Sequence, residues 1–332
     1  MNSQFATICV IGGGGYIGSK LVPSLVTEGY NVKVLDTFWY GKEVFVNLKG
    51  VKNLSIIQGD VRDNPVVKSA LKGCDAVIHL ACISNDPSFD MNPQLGKSVN
   101  LDCFEPLVKV AKAEGVKRFV FASSSSVYGI KEEEKVTESL SLEPLTDYSK
   151  YKAICEDILL SNITNDFVCT VVRPATVCGY SVRQRFDLAV NILTNHAINR
   201  GEIKVFGGGQ YRPNLHIQDM VDAYLHILRE DSEKVAGEVF NIGGKNLTLD
   251  SIAKIVSEIT GVTNIKYEPT DDLRSYRVDS SHIAEKIGFV PKREVDDAVS
   301  DLVKAFTENK FFNPLDNPLY FNIKRMKEMN LA

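Results

Sequence analysis

The 332-residue chain contains no Cys-x-x-Cys pair, and its seven cysteines are odd in number and mostly lie in apolar runs. That argues against a zinc site or a disulfide scaffold, so we expect free thiols and no metal. Charge of one sign is lacking too. The 38 lysines and arginines against 42 acids leave a net charge of −4. No basic field points to nucleic acid or to an anionic membrane surface. No apolar run approaches membrane-spanning length, and the N-terminus has no charged stretch leading into an apolar core. There is no internal repeat and no low-complexity segment. What remains is 44% hydrophobic and 24% charged residues, the composition of an ordinary cytoplasmic enzyme or binding protein. The length suits one large α/β domain or two smaller ones.

The most informative stretch is Gly12-Gly13-Gly14-Gly15-Tyr16-Ile17-Gly18, between an apolar run, Thr7–Ile11, and a helical segment, Tyr16–Glu28. A strand that turns through glycines into a helix offers backbone N–H groups at the positive end of the helix dipole, where a pyrophosphate can sit. The second strand, Asn31–Leu35, ends at Asp36, where a ribose 2′-hydroxyl needs an acceptor. Four more short apolar runs follow, Leu54–Gln58, Asp75–Leu80, Lys117–Ala122 and Phe167–Val172, with helical segments between them. That pattern predicts a Rossmann-type, doubly wound parallel sheet with its ligand at the carboxyl ends of the strands. Function is therefore expected in Gly12–Gly18, Asp36, Asp60–Val61, Ala81–Ser88 and Ser123–Ser126. Beyond Pro174 the alternation weakens; a helix is expected over Phe186–Asn199, a strand over Ile203–Phe206, and helices over Gln218–Leu228 and Leu249–Thr260. We place a dinucleotide-binding domain at 1–177 and a smaller substrate-binding α/β domain at 178–332, with 211–245 crossing back to the first.

Tyr148 and Lys152 lie four apart at the head of a helical segment whose apolar face reads as Ala153, Ile154, Ile158 and Leu159. A free phenol has a pKa near ~10, and a neighbouring ammonium lowers it toward use as a base. Ser123–Ser126 follow the fifth strand directly, so a serine there can hydrogen-bond the oxygen that Tyr148 deprotonates.

Together Gly12-x-x-Gly15-Tyr16-Ile17-Gly18, Asp36, Gly59-Asp60-Val61, His79-Leu80-Ala81, Ser123–Gly129, Tyr148-x-x-x-Lys152 and Arg173-Pro174 resemble the extended short-chain dehydrogenases/reductases, in their nucleotide-sugar epimerase/dehydratase branch. The resemblance runs from residue 5 to about 290. It implies Tyr148 as catalytic acid/base, Lys152 as its tuner and ribose clamp, and Ser124 as the catalytic serine. It implies NAD rather than NADP, held by Gly12, Gly15, Tyr16, Ile17, Gly18, Asp36, Asp60, Val61, Leu80, Ala81 and Lys152. The substrate it implies is a nucleotide-diphosphate sugar, met by Ser124, Asn191, Val205, Arg212 and Arg274, with Phe206 near the base. A homodimer through helices near Leu101–Glu114 and Tyr148–Leu160 is implied as well.

Five positions depart from the pattern or stand apart from it. Where the 4,6-dehydratases of this family carry an Asp–Glu pair, this chain has Ser125 and Ser126, neither able to protonate a leaving hydroxyl. That argues against a 4,6-dehydratase of the usual type and leaves a 4-epimerase as the favoured function, with a dehydratase of unusual acid/base groups or a 4-ketoreductase as the alternative; a non-catalytic dinucleotide-binding regulator is disfavoured by the intact Tyr148 and Lys152. Cys178 replaces the tyrosine that usually precedes Gly179, as a small apolar filler or as a group touching the sugar. Arg183 and Arg185 read as solvated loop residues.

Overall fold

Six short apolar runs become the parallel strands β1 (Thr7–Ile11), β2 (Asn31–Asp36), β3 (Leu54–Gln58), β4 (Ala76–His79), β5 (Arg118–Ala122) and β6 (Val168–Pro174) in the computed structural model, which describes residues 5–270, 275 and 277–331. A seventh, β10 (Val239–Ile242), pairs in parallel with β6 and completes a seven-stranded sheet of order β10-β6-β5-β4-β1-β2-β3. The chain reverses direction across the sheet between β1 and β4. That switch point opens a crevice at the carboxyl ends, where open α/β sheets bind ligands.

Both faces of the sheet are covered. On one side lie α2 (Asn64–Leu71), α5 (Phe104–Ala113) and α6 (Asp147–Leu160), contributing Val67, Leu107, Ala111 and Leu159 to an apolar layer. On the other, α1 (Gly18–Thr27) packs on α8 (Ile217–Arg229), through Leu21, Leu25, Met220 and Tyr224. Two short helices, α3 (Asp86–Asp90) and α4 (Pro93–Lys97), follow β4, and α9 (Ser232–Val235) precedes β10. Arg118, fully buried at the start of β5, donates to the carbonyls of Ile227 and Glu230 (2.8 Å each) at the end of α8, where a cation suits the helix dipole.

A second group of elements has its own apolar centre. Here α7 (Ala189–Arg200), α10 (Leu249–Thr260) and α12 (Val295–Thr307) pack around Leu193, Val256 and Val299. They sit beside a three-stranded sheet, β11-β9-β7, built from β7 (Thr176–Cys178), β9 (Tyr211–His216) and β11 (Asn246–Thr248). A parallel pair, β8 (Ile203–Phe206) with β12 (Ile265–Glu268), lies nearby, and α11 (Ser281–Ile287) packs on β10. The last helix, α13 (Asn322–Glu328), returns to the crevice rim and buries Met326 with Ile83 and Val99.

Two local readings are corrected. The helix expected from Phe186 begins at Ala189, because Phe186 is drawn into an aromatic cluster with Phe306 (5.7 Å), Phe311 (5.0 Å) and Tyr320 (5.4 Å), which keeps residues 186–188 out of the helix. On α6 the inward face is not the apolar one. Ser149, Lys152, Cys155, Glu156 and Leu159 are buried, while Ile154 is 43% exposed.

Candidate active site

The crevice is a cavity of about 340 Å³. Gly12, Gly15, Tyr16, Ile17, Gly18, Asp36, Asp60, Val61, Leu80, Ala81, Ser124, Tyr148 and Lys152 all line it. The glycines shape its floor. Gly12 has φ +82°, and a Cβ there would lie 2.4 Å from the amide nitrogen of Ala81. A Cβ on Gly18 would lie 2.4 Å from the carbonyl of Gly13, so the turn closes onto the head of α1 only without side chains. Asp36 accepts from the amides of Gly14 (2.9 Å) and Phe38 (2.6 Å), which fixes its carboxylate at the end of β2. Burial pushes its pKa up, with those two amides opposing. Asp60 faces the same cavity but spends its oxygens on Arg62 (2.6 and 2.9 Å), whose guanidinium holds the carboxyl below its usual range. A turn that admits close backbone approach, with an anchored acid at the next strand end, suits a dinucleotide.

The reacting end lies above β5 and α6. Thr146 caps α6, accepting from the Ser149 amide (3.3 Å), and this sets Tyr148 in the first turn. Tyr148 lines the cavity together with Ser124, whose hydroxyl favours the phenolate. Its pKa is raised, chiefly by burial and then by the charges of Cys82 and Asp86. The Lys152 ammonium donates to the Ala122 carbonyl (2.6 Å) and lies 4.7 Å from the Phe121 ring centre. The charge of Arg185 opposes the rise at Tyr148. Ser126 donates to Ser124 (2.9 Å), Ser149 to Ser126 (2.9 Å), and the Thr146 hydroxyl lies 3.0 Å from Ser149 and 2.5 Å from the Asp86 carboxylate. Three hydroxyls thus connect Ser124 to an acid that also lines the cavity.

A second network braces this wall from behind. Glu156, one turn beyond Lys152, accepts from Arg173 Nη2 (2.6 Å) and Nε (3.1 Å) and from Ser123. Arg173 Nη1 reaches Tyr128 Oη (2.8 Å), which in turn donates to Asn241 (2.8 Å).

Other expected residues lie elsewhere. Asn191 is fully buried beneath the loop after β7 and commits its carboxamide to the Gly179 amide (2.9 Å), the Arg185 carbonyl (2.8 Å) and Tyr16 Oη (3.1 Å). It braces the loop and offers nothing to a pyrophosphate in this arrangement. Val205 is core, Phe206 is 52% exposed, and neither lines the cavity. Arg212 also lies outside the lining and donates to the Tyr211 carbonyl (3.1 Å). Arg274 falls outside the described residues. Cys178 is buried in the second apolar centre with its thiol pushed up to about 12 by burial, the apolar filler of the two readings. Arg183 and Arg185, read as solvated, are the reverse: both are buried and both line the cavity. The loop carrying them also buries Gly179, Ser181 and Gln184.

A Rossmann-type sheet with a Ser–Tyr–Lys group beside a dinucleotide turn defines a class, the extended short-chain dehydrogenases/reductases. Residues 8–243 match the NAD dependent epimerase/dehydratase family, and the chain belongs to it. It is 29% identical over 316 residues to the UDP-glucose 4-epimerase of Lactobacillus helveticus, covering 88% of this chain and 94% of that protein. Two solved structures share the fold across most of both chains. One is the UDP-glucose 4-epimerase of Thermotoga maritima with UDP-glucose (TM-score 0.81, 28% identity, 91% of this chain and 99% of that one). The other is the dTDP-glucose 4,6-dehydratase DesIV of Streptomyces venezuelae with NAD bound (TM-score 0.82, 25% identity, 92% and 98%).

Proposed function

We propose that the chain is an NAD-dependent 4-epimerase of a nucleotide-diphosphate sugar, with Ser124, Tyr148 and Lys152 as its catalytic residues. The observation that carries this reading is the pairing of Tyr148 with Ser124 in the cavity, while serines stand at 125 and 126. NAD, when bound, accepts the hydride from C4 of the sugar and returns it. Tyr148 takes the proton of the C4 hydroxyl, Ser124 holds that oxygen, and Lys152 supplies positive charge from the same helix face. Return of hydride and proton on the other face of the keto sugar inverts C4 and leaves the mass unchanged. Asp36 supports NAD over NADP, since a 2′-phosphate would meet its carboxylate. The homodimer belongs to the same proposal and draws support from Ile154, exposed in mid-α6. A cytoplasmic setting agrees with seven free cysteines.

The test is a panel of UDP-, dTDP-, GDP- and CDP-sugars with catalytic NAD, read by mass spectrometry and NMR. An isomer of equal mass is expected; stoichiometric use of cofactor would indicate a reductase instead. One observation favours a second reading. The hydroxyl chain from Ser126 through Ser149 and Thr146 ends at Asp86, whose carboxyl group, once it has taken up a proton, would pass it along the chain to a leaving hydroxyl. Loss of water in the same assay, abolished by Asp86→Asn, would select that dehydratase.

A further inference from the structure

The loop after β7 brings two guanidinium groups into the cavity. Arg183 is 4% exposed and the Arg185 side chain 11%. Arg183 Nη2 donates to Asn322 Oδ1 (2.6 Å), and its guanidinium lies 3.7 Å from the Tyr40 ring centre. Its Nε and Nη1 find no hydrogen-bond partner among the described residues. Arg185 Nε donates to Asp187 (2.9 Å), and its Nη2 is likewise without a partner among them. Burial lowers the Arg183 pKa to about 10, so the group is still a cation at neutral pH. Two buried cations that repel each other and leave three nitrogens idle are costly unless an anion completes them.

The loop's attachments say where that anion lies. Ser181 Oγ donates to the Tyr16 carbonyl (2.9 Å) and touches Ser19 Oγ (2.8 Å), and the Arg183 amide donates to Ser19 Oγ (3.2 Å). Tyr16 Oη donates back to the Gly179 carbonyl (2.6 Å). The loop is therefore clasped to the glycine turn and the first turn of α1, and Arg183 senses the charge of Asp36. From these contacts we propose that Arg183 and Arg185 close over the head of α1 as a clamp for the dinucleotide's pyrophosphate, making the cofactor a resident group. The inference rests on the NAD reading of the cavity. Asn322, in α13 and beyond the family match, sets the clamp by holding Arg183 from the far side. It is itself held by Ser84 (3.0 Å) and Asp187 (3.1 Å). Guanidinium forks suit phosphate oxygens in a way that a lysine does not.

The test is calorimetric titration of protein stripped of nucleotide with adenosine, ADP and NAD, and of NAD-loaded protein with UDP. Arg183→Gln and Arg185→Gln should each weaken ADP and NAD by about 10- to 100-fold, the loss of one or two charge-assisted hydrogen bonds. Adenosine binding, and UDP binding to the loaded protein, should stay within about twofold of wild type, since neither involves the clamped pyrophosphate. Arg183→Lys should lose nearly as much as Arg183→Gln. Asn322→Ala, which keeps both charges, should speed NAD release and lower ADP affinity by a smaller factor. Equal losses for adenosine and ADP would reduce the arginines to structural props and overturn the clamp. A loss for UDP with ADP intact would assign them to the substrate's diphosphate and overturn it too. A wild type that binds neither ADP nor NAD would sink the NAD reading itself, a failure separable from that of the variants.

Discussion

Glu156→Gln is the sharpest probe of how the reacting wall is held. Glu156 is 2% exposed and Arg173 5%, so the pair is shielded from water. The carboxylate takes both Nε and Nη2 of the guanidinium, while Nη1 is committed to Tyr128. Glutamine keeps the shape and one acceptor but removes the countercharge, leaving a buried cation uncompensated. Breaking such a pair costs about 3–5 kcal/mol, and the retained acceptor places this case near the lower end. Glu156 lies on α6 with Tyr148 and Lys152, and Arg173 lies on β6, so the loss loosens the helix that carries the reacting groups. The assay is urea unfolding followed by circular dichroism, with turnover measured alongside. We expect a loss of about 3 kcal/mol with reduced turnover, and recovery of most of the stability in a Glu156→Leu, Arg173→Met double variant. A loss below about 1 kcal/mol would mean the pair behaves as an exposed one and would refute the bracing argument.

Two further outcomes follow from the geometry. Tyr148→Phe should keep the fold and lose about 100- to 10,000-fold in turnover, since only the proton acceptor is removed. In the wild type Tyr148 is held up by burial and by the Asp86 and Cys82 charges, so its phenolate becomes available as pH rises; under the epimerase reading Asp86→Asn removes one raising charge and should move the rising limb of the pH–rate profile to lower pH. His79 is depressed to about 3 by burial between β4 and the rings of Phe104 (5.5 Å) and Phe121 (5.9 Å). The unfolded chain binds that proton from about pH 6.5 downward and the native one does not, so stability present above that pH falls as pH drops toward 3. The share due to His79 between pH 7 and 5 is about 2 kcal/mol, and His79→Leu should remove it from urea-unfolding curves taken at the two pH values.

The sheet was legible because its strands are nearly continuous apolar runs separated by helical segments, which is what burial on both faces demands. Strand β10 was not. Its four residues come after β7, α7, β8 and β9 of the second group, and only packing beside β6 makes them a strand. The glycine turn and Asp36 were legible because their backbone chemistry is local. The placement of Asn191 was not. Its partners Tyr16, Gly179 and Arg185 come from two loops, and Tyr16 meets Gly179 across 163 residues of sequence. The start of α7 was missed for a similar reason: the rings that hold Phe186 outside the helix come from residues beyond 305.

Helix α6 exposes why periodicity alone misled. Its buried stripe repeats at three and four residues as an apolar face would, yet alongside Cys155 and Leu159 it carries the polar Ser149, Lys152 and Glu156. A polar stripe at helical spacing turns inward only where partners wait for it, and here Ser126, the Ala122 carbonyl and Arg173 do. The same accounting separates the buried arginines. Arg173 has all three nitrogens donating, so its work is finished within the fold. Arg118 leaves Nε idle, but it lies against the Phe5 ring (4.9 Å), away from the cavity. Arg183 and Arg185 combine idle donors with a place in the lining, and no pattern of residue types could have distinguished them from the other two. What marks a charge as functional in this fold is a hydrogen-bond deficit facing the cavity.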